Sequence, residues 1–165
     1  MNKESFVLEL NKRGISCEET QLNLLWDFMR HVLKTNESFN LTAIKDEESF
    51  VEKMIFDSAL LLNNQNFEGI DILDIGAGAG FPSVVLSILS PKAHVFALDS
   101  TAKKVKFIED YAKEKSLDVT GIAARYNQAL PEGCGPICLW YCRNWPPPGR
   151  SASRPSGGRR NAGPD

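Results

Sequence analysis

The sequence predicts an α/β domain in which a helical segment precedes a short parallel sheet, on three observations. From Ile70 to Asp99 an apolar run turns through Gly76, Gly78 and Gly80 into a helix-like stretch and returns as a second apolar run, which describes a βαβ unit. Upstream, apolar residues recur at helical spacing, as at Leu22, Leu25, Met29 and Val32. Downstream, Val105, Phe107, Ile108 and Tyr111 mark another helix, followed by a short strand-like stretch from Val119 to Ala124. Strand and helix thus alternate as in a Rossmann-like sheet.

The elements follow in order. Lys3 to Arg13 sets Phe6, Val7 and Leu10 on one helical face and stops at Gly14. Ser16 and Glu19 form a candidate capping box for a second, longer helix, on which His31 is expected to pack or face solvent, not to bind metal. Asn36 to Ile44 breaks the pattern, and Asp46 can cap a third helix that carries Phe50, Met54, Leu61 and Leu62. The expected organisation is an N-terminal helical cap over residues 1–69, a cofactor-binding part of the same domain over 70–142, and a disordered tail over 143–165.

At 165 residues and 42% hydrophobic content, the chain suits one domain with a moderate core. No apolar run approaches ~18 residues and no signal-peptide pattern opens the chain, so a cytoplasmic protein without membrane contact is expected. The net charge of −2 draws nothing globally to nucleic acid, and any RNA contact must come from local patches. Composition changes along the chain: residues 1–124 hold eleven lysines and two arginines, whereas 125–165 hold six arginines, no lysine and seven of the nine prolines. Cys134, Cys138 and Cys142 match no zinc or cluster spacing, so no metal is expected.

The glycine turn carries the chemistry. Glycines there let the backbone turn sharply and let a ligand lie against it, ahead of a helix N-terminus. Asp99 closes the second strand where a carboxylate can accept ribose hydroxyls, which suggests a nucleoside derivative. A dinucleotide site needs Gly-x-Gly-x-x-Gly; here the spacing is Gly-x-Gly-x-Gly and Phe81 fills the last position of that fingerprint. Asp74, two residues before the first glycine, would repel a pyrophosphate but suits a cofactor with an amino group and a sulfonium, namely S-adenosylmethionine. Lys103, Lys104 and Lys106 either form a solvated face or contact RNA phosphates. Arg125, Tyr126 and Asn127 follow the third strand, at the end of the sheet where ligands bind.

In order, Phe39-Asn40-Leu41-Thr42-Ala43, Phe56-Asp57-Ser58, Asp74-Ile75-Gly76-Ala77-Gly78-Ala79-Gly80-Phe81-Pro82 and Leu98-Asp99-Ser100 with Lys103, Lys104 and Phe107 resemble the signature of the bacterial RsmG (GidB) methyltransferases. The resemblance implies a class I S-adenosylmethionine-dependent methyltransferase fold, and methylation of N7 of a guanine in the decoding region of 16S ribosomal RNA, with the 30S subunit as partner and a monomeric enzyme. It implies that Gly76 and Phe81 line the cofactor, that Asp99 binds its ribose, and that Tyr126 and Asn127 lie near the adenine, where the family usually has Ala-Glu. Met54 stands where the family usually has a histidine. Guanine N7 carries a free lone pair, so no proton-transfer residue is nominated and the catalytic residues stay unassigned. The alternative is an inactive cofactor- or RNA-binding remnant.

The motifs stop near Arg125, so an incomplete sheet is expected, with the glycine-loop strand at its edge unless the strand-like run Ile137 to Cys142 pairs with it. The stretch from about Asn127 onward also reads as a frameshift. Shifted by one base, with Arg143 as CGN, the codons for Trp140 to Pro146 permit only Val-Leu-(Ser or Pro)-(Lys, Gln, Glu or a stop)-Leu-Ala, similar to a family helix segment.

Overall fold

A computed structural model describes residues 2–44, 46–63 and 66–125 and the backbone of 137–139. Helix α1 (Lys3–Lys12) is capped by the Asn2 side chain, which accepts the Ser5 N–H at 2.8 Å. It ends at Gly14, whose φ of +74° suits a residue without Cβ. Helix α2 (Glu19–Asn36) begins with a capping box on Glu18 and Gln21, two residues beyond the expected pair. Gln21 wins that role because it serves two ends at once. Its Oε1 accepts the Glu18 N–H at 2.9 Å, and its Nε2 donates at 3.0 Å to the carbonyl of Ile88, near the end of a later helix.

The expected third helix is one irregular track. Helix α3 (Glu47–Phe50) is capped by Asp46 and runs into a π-helical turn (Val51–Phe56), then α4 (Asp57–Ala59) and a 3₁₀ turn (Leu60–Asn63). Val51, Met54 and Ile55 keep the i, i+3, i+4 stripe of an ordinary helix, and the wide turn lets Phe56 be buried with them.

Strands β1 (Asp71–Ile75), β2 (His94–Asp99), β3 (Val119–Ala123) and β4 (Ile137–Leu139) form a parallel sheet in the order β3-β2-β1-β4. β1 is therefore not an edge: Leu73 stands opposite Phe96 on one side and Cys138 on the other. Of the run expected to supply that partner, Ile137–Leu139 pairs; the rest, with the tail, lies outside the described residues. Helices α5 (Ser83–Leu89) and α6 (Ala102–Lys115) connect the strands. α6 lies so close over β3 that a Cβ at Gly121 would come within 2.6 Å of Val105 and Glu109 side-chain atoms.

Two apolar clusters hold these layers. Ile72 and Val95 pack with Leu86 and Phe67. A larger cluster joins Phe6, Leu25, Phe28, Met29, Phe50 and Phe56 of the N-terminal helices to Phe81, Val84, Ile108 and Tyr111. Full burial of one such side chain contributes roughly 1.5–3 kcal/mol, so the helical segment and the glycine loop share much of their stability. His31 is packed, with its ring 5.2 Å from both Phe107 and Tyr111.

Candidate cofactor cleft

The loop between β1 and α5 is tied down by its own amides. Gly76 and Ala77 donate to the carbonyl of Leu98 at 2.8 and 3.0 Å, and Gly80 and Phe81 both donate to that of Ala77. The Gly78 N–H goes to Asp99 Oδ2 at 3.0 Å, and the Ser83 N–H to Asp74 Oδ2 at 3.2 Å. A loop with these donors engaged is no phosphate cradle, and α5 does not present them to an anion. Their acceptors are the protein's own carbonyls and carboxylates, unlike the free amides of a pyrophosphate-binding turn.

Gly76, Gly78 and Gly80 have φ of +85°, +58° and +96°. Gly80 is also crowded: a Cβ there would lie 2.8 Å from Val84 Cγ2 and 3.0 Å from Phe28 Cζ. Phe81 lies in the core, 4% exposed, its ring 5.0 Å from Phe28 and 5.3 Å from Phe50. It anchors the loop to α2 and α3, and the residues that line the cleft do not include it. An aromatic ring wedged between two others on the capping helices gains more from burial than from a wet cleft.

The residues that line the cleft do not include Asp74 either. It is fully buried, and Oδ2 accepts both the N–H and the hydroxyl of Ser83, while Oδ1 has no partner among the described residues. Burial, helped by the charge of Asp99, pushes its carboxyl up to about 7 against the two Ser83 hydrogen bonds. Sequence placed Asp74 beside the loop; its position inside the strand, facing α5, keeps it off the cleft surface.

Asp99 is at the surface of the cleft. Ile75, Gly76, Leu98, Asp99, Ser100, Ala124 and Arg125 line an opening of about 430 Å³ at the carboxyl ends of β1, β2 and β3. Asp99 Oδ1 accepts the Thr101 N–H at 2.8 Å, so each oxygen is aimed by a backbone donor. A carboxylate has about four acceptor directions, which leaves room for two hydroxyls. The residues present therefore fit a ribose-bearing ligand.

A model of the family described as rRNA small subunit methyltransferase G matches residues 21–135, past the Arg125 limit set by the motifs. The chain belongs to that family. It is 35% identical over 130 residues to the ribosomal RNA small subunit methyltransferase G of Exiguobacterium sp., covering 78% of this chain and 54% of that one. With its Listeria monocytogenes namesake, identity is 37% over 118 residues, covering 71% and 50%. The chain spans about half the length of these relatives. A protein-L-isoaspartate O-methyltransferase structure superposes with a TM-score of 0.57 at 16% identity, over 84% of this chain and 47% of the other, which places the fold among class I methyltransferases.

On this fold the three lysines separate. Lys106 pairs with Asp110 at 2.9 Å, while Lys103 is exposed beside the Phe39 ring, its Nζ 5.9 Å from the centroid. Lys104 is half-buried. Tyr126 and Asn127 lie outside the described residues. Sequence reasoning missed Ser83, Ser100, Thr101 and Ala124. Ser83 and Thr101 had a signal, since each begins a helix directly after a motif residue. Among the described residues no cluster suits a metal, and no helix is long and apolar enough to cross a membrane.

Proposed function

We propose that the chain binds S-adenosylmethionine in this cleft and that its family chemistry is methylation of N7 of a guanine in 16S ribosomal RNA, on the 30S subunit, by a monomer in the cytoplasm. When bound, the cofactor supplies an electrophilic methyl group on a sulfonium. Asp99 would accept the ribose hydroxyls, with Gly78 and Thr101 holding its oxygens; Gly76 gives the floor of the cleft a surface without side chains. Tyr126 and Asn127 are assigned to the adenine end. Asp74 and Phe81 act behind the surface by fixing the loop. Guanine N7 needs no base, so the protein's work is alignment and exclusion of water.

The observation that carries this reading is the Asp99 carboxylate, aimed into a cleft at the strand ends of a methyltransferase-family chain. Incubation with tritiated S-adenosylmethionine and 30S subunits tests it, with label expected in 16S RNA and recovered as 7-methylguanosine after enzymatic digestion to nucleosides. A second reading is favoured by the span of about half the relatives' length: cofactor binding without turnover. Calorimetric binding of S-adenosylhomocysteine with no label transferred would select that reading. No binding of the cofactor product would remove both.

A further inference from the structure

The segment after α2 is built unlike an ordinary linker. Asn36, 8% exposed, accepts the N–H of Leu41 at 2.8 Å and of Thr42 at 3.0 Å on Oδ1, and its Nδ2 donates to the Ile44 carbonyl at 3.4 Å. The Phe39 N–H donates to Thr35 O at 3.0 Å, and the Thr42 hydroxyl oxygen accepts the Ile44 N–H at 3.2 Å. Leu41 is sunk in the core at 3% exposure. One buried amide thus fixes a whole loop, a degree of local order that a passive connection does not need.

What the loop presents is polar and aromatic. Phe39 packs one part of its ring on the core and stays half-exposed; Asn40 is exposed, and no described residue bonds its amide. Lys103 stands over the Phe39 ring at 5.9 Å, the outer limit of a cation–π contact, so a flat group would displace it at little cost. Lys103 belongs to the first turn of α6, three residues beyond Ser100 of the cleft wall, so the loop comes up near the cleft rim. Ring face, amide and ammonium are the three chemistries that recognise an unstacked nucleotide: stacking, base-edge hydrogen bonds and phosphate charge.

We propose that Phe39, Asn40 and Lys103 seat a single-stranded RNA nucleotide next to the cofactor cleft. A base stacks on Phe39, Asn40 bonds its edge, and Lys103 swings from the ring to a neighbouring phosphate. This rests on the RNA-methyltransferase reading and adds the surface that holds the substrate.

The test is fluorescence anisotropy of the full chain with a labelled single-stranded RNA copied from the 16S decoding region, across a salt series. Phe39→Leu keeps the apolar packing and removes the ring face; it is expected to weaken binding about tenfold, whereas Phe39→Tyr holds wild-type affinity. Lys103→Ala is expected to lower the slope of log affinity against log salt by about one, and Lys92→Ala, beside Glu68 at the opposite end of the sheet, to leave it unchanged. Melting temperatures and S-adenosylhomocysteine affinity should match wild type in all four, which separates lost contact from lost fold. Wild-type RNA affinity in Phe39→Leu, or an unchanged slope in Lys103→Ala, would overturn the proposal while leaving the RNA reading intact. If the wild-type chain binds S-adenosylhomocysteine but no RNA, the RNA reading itself fails and takes this surface with it.

Discussion

Ser83 donates its backbone N–H at 3.2 Å and its hydroxyl to one oxygen of Asp74, while the carboxyl's other oxygen is buried without a described partner. Burial raises this carboxyl from 3.8 to about 7. The folded state then holds a proton that the unfolded chain has lost between those values, so stability from this group falls as pH rises from about 4 through 7. Asp74→Asn should therefore stabilise the protein by on the order of 1–3 kcal/mol above pH 8 and change little near pH 4. Urea denaturation at both pH values measures this; a larger gain at the acidic end would contradict the assignment.

Asp99→Ala should weaken S-adenosylhomocysteine binding about 10- to 150-fold, the loss of charge-assisted hydrogen bonds worth roughly 1.5–3 kcal/mol. Part of that loss is local, because the Gly78 and Thr101 amides are left without their acceptor. Calorimetry giving equal affinities would take Asp99 out of the site.

The glycines of the loop should differ in what alanine does. At Gly76 a Cβ meets nothing within 4 Å, so Gly76→Ala carries only the strain of positive φ, about 1–2 kcal/mol. Gly80→Ala adds collisions with Val84 and Phe28 and should cost about 2–5 kcal/mol. Equal midpoints in urea for the two variants would show that Phe28 yields freely.

The change of composition after Arg125 predicts a frameshift at the nucleotide level, placed nearer residue 135, where the family match ends, than Asn127. Resequencing the locus, and translating the other frames past that point, should recover a family-like segment around the codons of Trp140 to Pro146. An intact frame with the same tail in several independent isolates would sink this and add Arg150, Arg154, Arg159 and Arg160 to the candidate RNA contacts.

Much of this was legible because it is local. The βαβ unit, the glycine turn and Asp99 at a strand end all follow from spacing within one supersecondary unit. The packing of Phe81 was not legible because it is set by Phe28 and Phe50, which are far away in sequence. Asp74 was seen as a ligand group since sequence shows its offset from the glycines, not the α5 serine that turns it inward. The π-helical turn at Val51–Phe56 was hidden because Val51, Met54 and Ile55 keep ordinary helical spacing around the exposed Glu52 and Lys53, so nothing in the pattern marks the wider turn.

The pairing of Ile72 with Ile137 sets a timetable for synthesis. As the chain leaves the ribosome, α1 through β3 can assemble while β1 still offers one row of unpaired amides and carbonyls to any neighbouring nascent chain. Only when Leu139 has emerged can that row be closed, and closing it means bringing together residues distant in sequence, the slow kind of contact. A pause in translation between β3 and β4 would lengthen this vulnerable interval, whereas a faster passage would shorten it.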